Sequence, residues 1–164
     1  MSVIRVYTQS LPAVRFIGKK YSGADALNGS FAGKWEEWFE NDWFSEIQKE
    51  TGFYEDADAL IGLCREPGNG AFEYWIGVFA PAGAPVPEGY QSLDLDAAEV
   101  AVCWVKGKEP DIYMEDCTEA LKENGLVRKT GRDGMLCSFE RYCCPRFTAP
   151  DTDGNVILDQ CFYI

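Results

Sequence analysis

Short apolar runs, some of them alternating with polar residues, predict strands in both halves of the chain. The first run follows Pro12, ends at the Ser22-Gly23 turn and is rich in residues that favour strands. The predicted strands are residues 13–21, 59–65, 72–80, 92–106, 135–144 and 156–164. The turn-rich sequence EPGNG joins the second of these strands to the third, and the fourth is long enough to be bent or bulged.

A helical period follows the first strand. The helix is capped by Asn28 or Ser30 and runs to about Glu50, with Gly52 just past its end. Its apolar side chains cover an arc of about 160° on a helical wheel, which is wide for a helix lying on one sheet. We therefore expect one edge of the arc to face a cavity. The arc consists of Phe31, Trp35, Trp38, Phe39, Trp43 and Ile47.

A second predicted helix, residues 110–124, gives each half of the chain the order β-α-β-β. The two repeats are residues 4–80 and 90–164, and the Pro- and Gly-rich residues 81–89 link them. A unit of about 80 residues closes a core poorly by itself, so we expect the two modules to pair in a pseudo-two-fold arrangement. The prediction is one α+β domain, residues 1–164, with antiparallel sheets and a ligand groove between the modules.

Aromatic residues make up 14% of the sequence, with five Trp, eight Tyr and ten Phe. A domain of this size rarely needs so many rings for its core. Rings also give stiff contact area for flat ligands. An aromatic-rich core and an aromatic ligand site both remain open at this point.

The net charge of −12 disfavours direct binding to nucleic acid or to an anionic membrane surface. The chain has no basic run, no signal-peptide pattern and no apolar run long enough to span a bilayer. We therefore expect a cytoplasmic protein without a membrane or nucleic-acid partner. If it regulates a process, it would do so through another protein chain.

The sequence contains no histidine, which removes the commonest general base and the commonest zinc ligand. The seven cysteines form an odd, scattered set that favours free thiols over disulfides or a metal site. They are Cys64, Cys103, Cys117, Cys137, Cys143, Cys144 and Cys161. No metal or cofactor is expected, and acid-base chemistry would have to use carboxylates, tyrosines or thiols.

Four segments in this order resemble the gyrase-inhibitor-like (GyrI-like) domain, which also forms the effector-binding half of some AraC-type and MerR-type activators. The segments are LPAVRFIGKKYSG, GYQSLDLDAAEVAVCWVKG, CSFERY and VILDQCFYI, and the resemblance extends from about Ile4 to Ile164. It implies two β-α-β-β modules with a small-molecule groove between them. Unlike the activators, this chain shows no DNA-binding domain.

The resemblance also implies two site residues. Glu140, in the segment FERY, corresponds to the glutamate that meets a cationic ligand, and Asp159 corresponds to an acidic residue of the last strand. Alternation along the strand places Ser138, Glu140 and Tyr142 on one face. A carboxylate in such a position is paired, solvated or functional.

Three functions follow as hypotheses. The first is a binding module for an amphipathic, aromatic or cationic small molecule, held by Glu140 and by aromatic rings. These rings are Trp35, Trp38, Trp43, Tyr74, Trp75 and Tyr142. The second, implied by the resemblance, is a hydrolase that opens cyclopropane rings of genotoxic compounds with a water activated by Glu140. The third is a module that acts on a protein partner, such as a transcription regulator or gyrase. The sequence leaves the oligomeric state open.

Overall fold

An antiparallel sheet of eight strands organises the computed structural model, which describes residues 1–47, 51–67 and 71–164. The strands are β1 Ser2–Leu11, β2 Val14–Ser22, β3 Leu60–Pro67, β4 Glu73–Pro81, β5 Gln91–Leu95, β6 Ala98–Gly107, β7 Met135–Tyr142 and β8 Val156–Tyr163. Their order across the sheet is β1-β6-β8-β7-β3-β4-β2-β5. With the short helices described below, this arrangement confirms the α+β class.

The strand order is symmetric about the central pair β7–β3. Outward from that pair lie β8 and β4, then β6 and β2, and finally β1 and β5. Because β3 and β7 are hydrogen-bonded to each other, the strands of both halves form one continuous sheet. The two-module arrangement and its repeat boundaries, 4–80 and 90–164, stay predictions.

The two outermost strands differ from the prediction. β1 was not predicted, because it is a half-exposed edge strand whose alternation is interrupted by a bulge between Val3 and Arg5. The predicted strand 92–106 is two strands, β5 and β6, separated by Asp96 and Ala97. β5 pairs with β2, whereas β6 pairs with β1 and β8, so each half contributes one edge strand to the other half.

Both predicted helices are interrupted. The first consists of α1, Ala32–Glu40, and α2, Trp43–Glu46, because Asp42 adopts a left-handed conformation with φ of 54°. The second consists of a 3₁₀ turn, Asp111–Met114, and α3, Thr118–Glu123. The predicted helix end near Glu50 and the centre of the EPGNG turn lie outside the described residues. None of the described helices is long and apolar enough to cross a membrane.

The helices cover one face of the sheet in two groups. α1 and α2 bury Trp38 and Phe44 against strands β2 and β4 of the first half. The 3₁₀ turn and α3 bury Ile112 and Leu121 against β6 and β8 of the second half. The centre of this face, at β3 and β7, therefore lies between two separate helical groups.

The opposite face of the sheet carries a cluster of four charged side chains, two of them fully buried and two partly exposed. Arg141 on β7 and Asp159 on β8 are fully buried and are joined by hydrogen bonds of 3.0 and 2.9 Å. Arg146 also binds Asp159, with Nε 2.8 Å from Oδ1, and it reaches Asp56 at 3.0 Å. Burial pushes the pKa of Asp56 upward, but Arg146 and Arg141 outweigh it and leave that pKa below its usual range.

We expect Asp159→Ala to lower the free energy of unfolding by about 3–5 kcal/mol, because it leaves Arg141 buried without its main counter-charge. Denaturant unfolding followed by circular dichroism measures this loss. Asp153→Ala is the matched control, since Asp153 is exposed in the loop before β8 and should change stability by about 0.5 kcal/mol or less. Equal effects of the two substitutions would contradict the structural role given to Asp159.

Candidate functional site

Glu140 lies on the central strand β7, on the face of the sheet that carries the helices. Its pairing partner on β3 is Gly62, and its pairing partner on β8 is Gln160. Partners in an antiparallel sheet point to the same face. The carboxylate therefore stands beside a position that has no side chain on one flank and a carboxamide on the other.

A chain of hydrogen bonds fixes the Glu140 carboxylate. The hydroxyl of Tyr142 donates to Glu140 Oε2 at 2.8 Å, and the hydroxyl of Tyr74 donates to the same oxygen at 3.2 Å. Trp35 Nε1 donates to the Tyr74 hydroxyl at 3.0 Å. Among the described residues, no hydrogen bond reaches Glu140 Oε1.

The Glu140 carboxylate lies in an apolar environment without a positively charged partner among the described residues. The residue keeps some exposed surface, yet burial is the largest influence on its carboxyl and raises its pKa, which the hydrogen bonds from Tyr142 and Tyr74 oppose only in part. In the part of the chain that the structure describes, Glu140 has no Lys or Arg partner. An uncompensated carboxylate in an apolar setting attracts a cation strongly.

Aromatic rings line both sides of this carboxylate. Trp35 meets Tyr142 at 4.8 Å between ring centroids, and Tyr142 meets Phe147 at the same distance. Phe31 stacks on Tyr74 at 4.2 Å. Phe39 extends this row of rings toward solvent, because its ring centroid lies 6.3 Å from that of Trp35 and the residue is 60% exposed. Aromatic rings thus follow one another from the surface to Glu140.

Tyr113 lies in the 3₁₀ turn that packs on the second half of the sheet. Burial and its hydrogen bond to Glu109 raise the pKa of Tyr113 most, and the charge of Glu140 raises it further.

The structure brings together four of the predicted ligand residues, Glu140, Tyr142, Trp35 and Tyr74, whose part in binding stays a prediction. Trp38 and Trp43 lie elsewhere. Trp38 is fully buried and donates to the hydroxyl of Tyr21 at 2.9 Å, and Trp43 packs edge-on against it. The ammonium of Lys19 lies 4.2 Å above the Trp43 ring, so that ring already faces a cation of the protein.

Trp75 and Asp159 lie on the opposite face of the sheet from Glu140. Trp75 is adjacent to Tyr74 in β4, and neighbouring strand residues point to opposite faces. It packs against Phe16 and donates to Glu73. Asp159 pairs with Arg141, whereas its neighbour Gln160 pairs with Glu140. In this arrangement Gln160, and not Asp159, is the residue of β8 that flanks Glu140.

Sequence reasoning missed Gly62 and Gln160, the direct strand partners of Glu140. Gly62 carries no side-chain chemistry, and its importance is visible only in the register of β3 with β7. An added Cβ there would stand 2.5 Å from the Tyr74 hydroxyl oxygen and 3.0 Å from Glu140 Oε2. The alternation along β8 identifies Gln160 as a neighbour of Glu140 only when the register of β8 with β7 is known.

Two other polar regions of the molecule do not include Glu140. A cleft of about 430 Å³ lies near Arg65, Lys129 and Tyr163, at the far ends of β3 and β7. Asp56, Cys143 and Asp159 lie close enough together to hold a metal ion. Arg141 and Arg146 already neutralise the two carboxylates, which makes that cluster a poor cation site.

A family model described as the GyrI-like small molecule binding domain matches residues 6–153 of the chain. The chain belongs to the GyrI-like family. No curated protein sequence matches this GyrI-like domain. Solved structures nevertheless share its fold over nearly its whole length.

A candidate bacterial transcription regulation protein from Staphylococcus aureus MU50 matches with a TM-score of 0.69 and 20% identity, over 97% of each chain. SAV2435 bound to tetraphenylphosphonium matches with a TM-score of 0.69 and 18% identity, over 98% of the GyrI-like domain and 93% of SAV2435. An integron cassette protein from the mobile metagenome of Vibrio cholerae matches with a TM-score of 0.56 and 10% identity, over 99% and 97% of the two chains. At these identities the matches establish the fold alone.

We expect Gly62→Ala to lower the free energy of unfolding by about 1–3 kcal/mol, because its Cβ collides with the Tyr74 hydroxyl. Thermal and denaturant unfolding measure the loss. In a Tyr74→Phe background the collision is relieved, so the same substitution should cost less. Gly33→Ala is the control: a Cβ at Gly33 meets open space in α1, and the change should stabilise the helix by about 1 kcal/mol. A cost at Gly62 that is unchanged in the Tyr74→Phe background would refute the proposed contact.

Proposed function

We propose that this GyrI-like domain binds amphipathic organic cations between the aromatic rings that surround Glu140. One observation carries the proposal: the Glu140 carboxylate stands among rings without a Lys or Arg partner in the described residues. Burying a charge is unfavourable unless something compensates it. A ligand cation would supply that compensation.

The arrangement of donors supports a cation and not an anion. Both tyrosine hydroxyls donate to Oε2, which holds the carboxylate in place and leaves Oε1 to meet the ligand. Trp35 presents a large aromatic surface beside Tyr142. A cation at Oε1 would gain Coulombic attraction and cation–π contact together, and flat substituents on the cation would stack on the same rings.

Membership of a small-molecule-binding family agrees with this proposal. SAV2435, which has the same fold, is bound to tetraphenylphosphonium, a permanently charged cation with four aromatic rings. A ligand of this class matches the chemistry around Glu140. Tetraphenylphosphonium is therefore a suitable probe for the present chain.

Glu140→Gln should weaken tetraphenylphosphonium binding by roughly 10- to 100-fold, because the substitution keeps the shape of the side chain and removes its charge. Isothermal titration calorimetry gives the dissociation constants. Triphenylphosphine oxide, a neutral molecule with similar rings, should lose no affinity in Glu140→Gln.

Glu36→Gln is the matched control, since Glu36 is an exposed carboxylate on the outer side of α1. It removes the same charge from the protein without touching the site. If Glu36→Gln weakens tetraphenylphosphonium binding as much as Glu140→Gln does, only the overall negative charge matters and the proposed site is wrong.

The affinity for tetraphenylphosphonium should fall as the pH is lowered. The charge of this probe does not depend on pH, so any change reports on the protein. Burial raises the pKa of Glu140. The ionised form, which attracts the cation, is therefore lost at a higher pH than for an ordinary carboxyl. Titrations between about pH 8 and about pH 4 should show the decline in the wild-type protein, and a pH-independent affinity in Glu140→Gln. An identical decline in both proteins would rule out Glu140 as its cause.

Several finer expectations stay predictions. They are a stand-alone role related to transcription regulation, the absence of a nucleic-acid partner, a cytoplasmic location, and a protein partner such as a regulator or gyrase. Opening of a cyclopropane ring by water activated at Glu140 also stays a prediction. Mass spectrometry would detect it as the gain of one water molecule by the ligand.

A further inference from the structure

We propose that Gln160 is a second, uncharged contact of this site and that it selects cations that also carry a hydrogen-bond acceptor. The inference rests on the proposed function, because it concerns the same ligand. It adds a specificity-determining residue that is distinct from the carboxylate and from the rings.

The strand register places Gln160 beside Glu140. The two residues are direct partners in the antiparallel pair of β7 and β8. Side chains of such partners share a face and have Cβ atoms about 4.5–5.5 Å apart. A ligand of ordinary size that reaches Glu140 Oε1 therefore comes within reach of the Gln160 carboxamide.

The carboxamide has its oxygen engaged and its nitrogen free to donate. The thiol of Cys117 lies 3.5 Å from Gln160 Oε1 and donates to it. A hydrogen bond with the Cys103 thiol, followed by burial, raises the pKa of Cys117. Within the described residues, no hydrogen bond from Gln160 Nε2 is present, and Gln160 is only partly buried. A carboxamide nitrogen has two donors.

These contacts define the class of ligand. Its cationic centre would lie against Glu140 Oε1, and an ether, carbonyl or amide oxygen a few ångströms away would accept from Gln160 Nε2. A glutamine cannot ionise, so this contact should contribute equally at any pH. It would discriminate between cations of equal charge and equal ring content, which Glu140 alone cannot do.

Two probes isolate the contact. Butyltriphenylphosphonium and (2-methoxyethyl)triphenylphosphonium have the same charge, the same rings and the same number of non-hydrogen atoms, but only the second has an ether oxygen. Calorimetry gives the ratio of the butyl to the methoxyethyl dissociation constant. In Gln160→Met this ratio should fall by about 3- to 10-fold relative to the wild type, as expected for one lost hydrogen bond.

Gln91→Met is the matched control, because Gln91 is exposed on β5 and lies outside the site; it should leave the ratio unchanged. Gln160→Leu is a second apolar variant, and unfolding curves for both variants check that the fold is intact. A ratio that is the same in the wild type, Gln160→Met and Gln160→Leu would overturn the role of Gln160 while the proposed function stands. Failure of the wild type to bind either probe or tetraphenylphosphonium would overturn both proposals.

Discussion

A missing side chain at Gly62 decides what the centre of the sheet can hold. Gly62 pairs directly with Glu140, and any Cβ at this position would meet the Tyr74 hydroxyl, Glu140 Oε2 and the ring of Trp35. Because the strand is bare there, two tyrosines and a tryptophan can converge on one carboxylate from different elements. The central pair β3–β7 therefore joins the two halves of the chain and also lets these side chains meet at Glu140.

Two carboxylates in adjacent strands, Asp159 and Glu140, have different electrostatic surroundings. Asp159 is fully buried and is compensated by Arg141 and Arg146. Glu140 receives hydroxyl donors and, within the described chain, no cation. The first arrangement stabilises the fold by satisfying a buried charge. The second leaves a charge unsatisfied in the free protein, which is typical of a site that completes itself with a ligand.

Local sequence patterns predicted most of the strands and the α+β class, because alternation and turn residues are short-range signals. The family resemblance singled out Glu140, whose functional role stays a prediction. The local patterns failed where long-range pairing decides. In each of the adjacent pairs Tyr74–Trp75 and Asp159–Gln160, one side chain shares a face of the sheet with Glu140. Which one does so depends on which strands pair and in which register. The predicted continuous first helix failed for a different reason: the break at Asp42 requires a left-handed residue, which a polar side chain tolerates but does not signal.

The exchange of edge strands between the two halves affects how the chain is made. β1 is synthesised first, but its partner β6, Ala98–Gly107, emerges from the ribosome only after the whole first half and the linker. Such non-local pairing slows folding and leaves a strand edge open in the meantime. The bulge between Val3 and Arg5 and the polar side chains of Arg5 and Gln9 on this strand disfavour pairing with another chain. In the completed sheet, the irregularity that hid β1 in the sequence thus helps to keep its outer edge from pairing with a second chain.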